Sequence, residues 1–172
     1  MGKSHDLATI ATDGLPTLEV DTIKNTSGTT ALTIDSSGAV LRPVLPYGKA
    51  SKGGSAQSPT NKITIGTSVL SGGGLTVDTT NHRMIVPIAG LYAIGFTSLT
   101  DSTNTNTEVH MRKNGNQIAG SSSQTHAGNS YATLSQHMVI ELSANDYIEW
   151  WVSSGAVHNN AQYNNHYVYL LG

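Results

Sequence analysis

Met84-Ile85-Val86-Pro87-Ile88-Ala89-Gly90-Leu91-Tyr92-Ala93-Ile94-Gly95-Phe96 holds two apolar runs separated by a proline and a glycine. The first run closes a short strand, Arg83–Val86, which precedes Pro87. Gly90 then hands over to Leu91–Phe96, a continuous apolar run of strand length. Both faces of this second strand are apolar, with Leu91 and Ala93 on one side and Tyr92, Ile94 and Phe96 on the other. A two-layer sandwich buries only one face of each sheet, so the second face needs another cover. A neighbouring subunit is the simplest one. Tyr92, Ile94 and Phe96 are therefore expected at a subunit interface, with Gly95 permitting close backbone approach. The terminal run is two-faced in the same way, and Tyr167, Tyr169 and Leu171 are placed at the same interface.

Further strands follow on either side. Lys62–Val69 carries Ile63, Ile65 and Val69 among threonines, and Leu75–Val77 follows a triple glycine. Glu108–Lys113 and Gln117–Ala119 flank Asn114-Gly115, the strongest short hairpin signal. Tyr131–Leu142 alternates, with Ala132, Leu134, Met138, Ile140 and Leu142 on one face. Tyr147–Val152 places Ile148, Trp150 and Val152 together, and His166–Leu171 closes the set. About eight strands with frequent turn signals describe an all-β sandwich or jelly roll.

Composition agrees. Ser, Thr, Asn and Gly supply 71 of the 172 residues, and charged residues only 12%. Long helices and coiled coils are excluded, because good helix formers are scarce. The net charge is −2 with no basic block, which excludes a nucleic-acid groove or a polybasic membrane patch. There is no cysteine, so disulfide frameworks and thiolate chemistry are excluded. No apolar run approaches a membrane span, and Met1–Asp6 leads into too short an apolar patch for a signal peptide.

The chain reads as three zones: an extended segment over 1–44, a linker over 45–61 and a compact β domain over 62–172. In the first zone, Val20–Gly28 is echoed by Leu32–Gly38, each a short alternating run closed by a Ser-Gly turn. Leu7, Ile10, Leu18, Val20, Ile23, Leu32 and Ile34 are its apolar anchors. Such short hairpins bury nothing alone; intertwined copies or a docking surface would serve them, and a polar tail without fixed structure is the alternative. The Gly, Ser, Pro and Lys content of 45–61 reads as a spacer.

Met84–Phe96 resembles the "vPxxGxYxF" signature of C1q-like domains, the jelly rolls related to tumour necrosis factor. Val109–Gly115, Ser135–Val152 and Tyr167–Leu171 are similar to that family's later motifs, in the family's order. Asn145 stands where the family has glycine before Asp146, and the glycine of its closing motif is absent. The resemblance covers 62–172 and implies a homotrimeric jelly roll. Ile23–Gly38 is similar to the stems of bacteriophage tail fibres and other virion appendages, and the absence of a collagen repeat argues against a complement-type molecule.

No catalytic set emerges. Histidines 5, 82, 110, 126, 137, 158 and 166 form no metal-ligand motif. His110 and His137 are expected on outward faces; an axial metal held by one histidine per subunit, and a calcium ion on loop carbonyls, stay open. Glu141 and Glu149 lack an evident cleft for glycosidase chemistry. Ser121 to His126 lacks a nucleophile elbow. No cofactor is expected. Two loops suggest binding: 100–107 with Asp101, Asn104 and Asn106, and 153–165 with His158, Asn159, Asn160 and Tyr163. Amides beside an aromatic suit sugar hydroxyls, because each amide both donates and accepts. The loop 119–131 would join them.

The expected function is that of a non-enzymatic bacteriophage structural protein, a trimeric short fibre or capsid decoration. Its N-terminus would hold a capsid or tail protein, and its head would project from the virion. The alternatives are a tail-fibre head that binds a host glycan or receptor, and a bacterial extracellular carbohydrate-binding module.

Overall fold

A computed structural model of the chain describes residues 22–24, 26–28, 30–41, 45–54, 61–101, 106–126 and 131–171. The chain divides into two compact units, Met1–Pro43 and Val44–Gly172. In the first unit, β1 (Thr22–Lys24), β2 (Thr30–Ile34) and β3 (Val40–Leu41) form an antiparallel sheet in that order. Gly28 and Gly38 adopt the positive φ of 84° and 82° that their turns require. The second turn is fixed by Asp35, whose Oδ1 accepts from the Ser37 hydroxyl and from the amides of Ala39 and Ser37. These bonds, led by the Ser37 hydroxyl, hold its carboxyl below the usual carboxylate range. Ile23, Ile34 and Val40 remain exposed, so the small sheet leaves apolar side chains uncovered. Leu7, Ile10, Leu18 and Val20 lie outside the described residues.

In the second unit the strands are β4 (Tyr47–Lys52), β5 (Asn61–Lys62), β6 (Ile65–Gly72), β7 (Thr76–Asp78), β8 (Arg83–Ile85), β9 (Gly90–Leu99), β10 (Glu108–Lys113), β11 (Asn116–Gln117), β12 (Ser123–Gln124), β13 (Thr133–Leu142), β14 (Tyr147–Ser154) and β15 (Asn165–Leu170). One sheet runs β13-β9-β15-β4-β6. The other runs β11-β10-β14-β8-β7, with β12 on β10 and β5 on β14. Tyr92, Ile94, Phe96 and Val168 of the first sheet meet Met84, Met111, Ile148 and Trp150 of the second in one core. This is the all-β jelly-roll sandwich expected from the strand pattern.

Three expectations change. The linker over 45–61 is in part a strand: β4 lies between β15 and β6 in the sheet. Its inward residues are Gly48, Ala50 and Lys52, all buried, and none announces a core strand. Gly48 is small for a reason, since a Cβ there would lie 2.3 Å from Leu75 Cδ2. The jelly roll therefore begins ahead of β4, not at residue 62. Next, the expected strand over 62–69 is broken. β5 pairs with β14 and β6 with β4, so Ile63-Thr64 carries the chain from one sheet to the other. Finally, Tyr92, Ile94 and Phe96 are fully buried within the chain and cannot lie on a subunit interface. β9 presents Leu91, Ala93, Gly95 and Thr97 outward instead; with both its faces apolar, the large aromatics had no sequence signal saying which side was inside.

Turn chemistry closes the sandwich end where the chain enters. Asn114 and Gly115 have φ of 50° and 81°, and Asn145 has φ of 71° in the left-handed conformation its type tolerates. Asp146 ties the two turns together. Its carboxylate accepts from Asn114 Nδ2 at 2.6 Å, from the Ser143 amide at 2.8 Å and from Lys113 Nζ at 2.8 Å. Burial works to raise its pKa, but these bonds and the Lys113 charge outweigh it and hold the group low. Asp146→Ala should cost about 1–2 kcal/mol at pH 7, the loss of charge-assisted bonds to a partly buried carboxylate. Urea unfolding of the two proteins at matched concentration measures this.

Candidate functional site

Two surfaces of the second unit stand out. The first is the outward face of the five-stranded sheet, whose register sets side chains in rows. Val139, Ala93, Tyr169 and Tyr47 form one row across β13, β9, β15 and β4. His137, Gly95, Tyr167 and Lys49 form the next. Leu91 and Leu171 meet beside the first row, where the Leu171 amide bonds the Leu91 carbonyl. Tyr47, Leu91, Val139, Tyr169 and Leu171 are between 42% and 54% exposed, a contiguous apolar surface. Tyr167, Tyr169 and Leu171 thus face outward as expected, unlike Tyr92, Ile94 and Phe96.

Gly95 shapes this face. His137 and Tyr167 lean over it from both sides, stacked at 5.6 Å with planes 15° apart and joined by a hydrogen bond between Nδ1 and the phenol. A Cβ on Gly95 would stand 2.5 Å from the Tyr167 hydroxyl and 2.6 Å from His137 Nδ1. Burial, and then Tyr169, raise the Tyr167 phenol above its ordinary pKa. Alongside runs a groove of about 480 Å³ lined by Tyr47, Lys49, Thr97, Asn165, Tyr167 and Tyr169.

The other sheet's outer face is of opposite character. Arg112 lies 4.0 Å over the Trp151 ring, Lys62 pairs with Glu149, and Arg83 lies 4.6 Å over Tyr147. Charges that are satisfied among themselves suit contact with water. The apolar face is the one that wants cover.

The second surface lies at the end of the sandwich opposite Tyr47. β9 and β13 pair Gly90 with Leu142 at the near end and Leu99 with Thr133 at the far end. At the far end the loops are stitched together. Asp101 N bonds Ala156 O, Ala132 N bonds Thr100 Oγ1, and Thr125 N bonds Thr107 O. Among the described residues, these bonds bring the ends of the 100–107, 119–131 and 153–165 loops together. Asn164, one of the asparagines of the 153–165 loop, organises this end. Fully buried, it donates to the carbonyls of His158 and Asn160 and accepts from the Leu99 amide. Asn160 caps a single 3₁₀ turn (Ala161–Tyr163) by accepting from Gln162 N at 2.8 Å. Asn159, Asn160 and Tyr163 are exposed, as is Asn106; Asp101 is half-buried, and Asn104 lies outside the described residues.

His158 is the hub of the far end. Its Nδ1 accepts from Asn160 N at 3.1 Å. Tyr163 packs edge-on at 6.0 Å and Tyr131 at 5.6 Å. Tyr131 was not among the expected site residues. Its only signal is an aromatic at the head of a strand after Gly128-Asn129-Ser130. Its φ of 57° is strained for a bulky side chain.

The catalytic candidates come apart. Glu141 is exposed on β13 of one sheet, while Glu149 is buried on β14 of the other, bonded to Lys62 and Trp151. They cannot flank one bond. Ser121 is buried and its hydroxyl bridges the amide and carbonyl of Met111. His110 is on the outward side of β10 but covered. Burial, and then Arg112, which donates to its Nε2 at 3.0 Å, depress its pKa. Among the described residues, no group of three or more His, Asp or Glu could hold a metal ion, and no helix is long and apolar enough to cross a membrane.

No family model and no curated protein matches the sequence. Solved structures do match. One is the Eiger TNF of S. frugiperda, similar over 74% of this chain and 93% of that one, with a TM-score of 0.57 and 11% identity. At that identity the likeness speaks for fold alone. In fold, this protein is a TNF/C1q-like jelly roll.

Proposed function

We propose that the protein is a non-enzymatic structural component of a bacteriophage particle, a homotrimeric short fibre or capsid decoration. One observation carries the assembly: the apolar, aromatic outer face of the five-stranded sheet, beside a second sheet whose outer charges are satisfied among themselves. Burying Tyr47, Leu91, Val139, Tyr169 and Leu171 against the same face of other copies removes a large apolar surface from water. Three copies are the closed arrangement that the C1q-like resemblance implies. The first unit serves as anchor. Its small sheet leaves Ile23, Ile34 and Val40 exposed, which intertwined copies or a capsid or tail protein would cover. The second unit is the head on the virion surface. The far-end loops favour a second reading, in which the head also engages a host surface.

Light scattering on the purified chain should give a trimeric mass at micromolar concentration. A variant lacking 1–43 should keep that mass and lose attachment to particles. A monomeric mass for the full chain sinks the assembly, and particle binding retained by the truncated head sinks the anchor.

A further inference from the structure

We propose that the far-end cluster of Tyr131, His158 and Tyr163 binds a neutral saccharide, which gives a ligand class to the second reading above. The site lies within one chain and does not depend on trimer formation or particle attachment.

Tyr131 and Tyr163 flank His158 edge-on and remain 54% and 46% exposed. Exposed rings of this kind offer rigid, amphipathic contact at small entropic cost. They suit the apolar C–H faces of a sugar ring. Between them the hydrogen-bonding groups are set out for hydroxyls. His158 Nδ1 is occupied by the Asn160 amide, which selects the tautomer with the proton on Nε2 and makes that N–H a donor. Asn160 spends its carbonyl oxygen on Gln162 N and keeps its amide NH₂. Exposed Asn159 and Gln162 stand beside it. Amides, an imidazole and phenols surround the rings, with no cation among them to prefer an acidic ligand.

The loop is also held in place in advance. Asn164 is fully buried and fixes the carbonyls of His158 and Asn160 and the amide of Leu99. Little ordering is then left to be done on binding. Tyr131 sits in a left-handed conformation with φ of 57° that asparagine would adopt at lower cost. A strained aromatic kept where an unstrained residue would serve the fold points to use of the ring itself.

The full chain is to be tested against immobilised neutral oligosaccharides of glucose, galactose, mannose and N-acetylglucosamine, followed by titration of any hit. Binding should fall at least tenfold in Tyr131→Asn and in Tyr163→Ala, and persist in Tyr131→Phe and Tyr163→Phe. Tyr131→Asn should melt no lower than the parent, which a merely structural tyrosine would not allow. The proposal is overturned by no binding to any of these sugars at millimolar concentration, or by binding that Tyr131→Asn and Tyr163→Ala leave intact. Mass measured on the same samples keeps this result apart from the assembly: a trimer that binds no sugar rejects the site alone.

Discussion

On the proposed trimer, replacing Gly95 by valine should leave a folded monomer. The side chain would project outward from β9, so the core residues Tyr92, Ile94 and Phe96 behind it are not disturbed. Valine is a better strand residue than glycine, which favours retention of the monomer fold. What it meets is the pair that lies over Gly95. A Cβ would fall 2.5 Å from the Tyr167 hydroxyl and 2.6 Å from His137 Nδ1, so both rings must swing away from the sheet. Their hydrogen bond and stacking are lost, and a raised bump replaces a flat surface at the middle of the apolar rows. Truncation or misfit at the centre of an interface costs roughly 2 kcal/mol per site. Symmetry repeats the change in every copy, giving about 6 kcal/mol for a trimer, a factor of about 10⁴ in association. Light scattering should report the monomer, with circular dichroism retaining its β signature. Val139→Glu, on the same face and one strand away, should act alike by burying a charge. A trimer of unchanged mass from both variants would place the interface elsewhere.

This face was half legible in the sequence. Strand positions followed from alternation and turn chemistry, because Asn114-Gly115 and Asn145-Asp146 carry their own backbone geometry. The inward face of β13 followed from period two. Side was lost where both faces are apolar, as on β9, since alternation cannot rank Tyr92 against Leu91. Strand existence was lost where the inward residues are glycine, alanine and lysine, as on β4. There Gly48 is fixed by Leu75, a neighbour remote along the chain. The far-end cluster was legible as composition, through its run of asparagines. It was not legible as geometry, because Tyr131, His158 and Asn164 meet only through the packing of separate loops.

Acid should unfold this protein well before its carboxylates are all titrated, and one histidine should account for it. His166 points inward from β15 and is wholly buried, against the Trp150 ring at 5.0 Å. Neither ring nitrogen has a hydrogen-bond partner. Burial lowers its pKa from 6.5 to about 3; the Ala50 backbone beside it works the other way, and buried Lys52 nearby adds to the lowering. The folded value lies below the unfolded one, so the unfolded chain takes up the extra proton first. Stability is whole above about pH 6.5, falls as pH drops below that value, and the loss is complete near pH 3. At 1.36 kcal/mol per unit the shift amounts to about 5 kcal/mol per chain, comparable to the whole stability of many domains. The low pKa of Asp78 and Asp146 adds a separate loss, which sets in only as pH falls through the ordinary carboxylate value of 3.8. His166→Leu separates the two. Leucine fills nearly the same volume, removes two unpartnered nitrogens and cannot charge. It should be as stable as the parent or more so at pH 7, and should lose little between pH 6.5 and 4.5, where the parent declines steeply. Urea midpoints at fixed protein concentration across that range decide it: parallel curves for the two proteins would mean that His166 is not the group protonated.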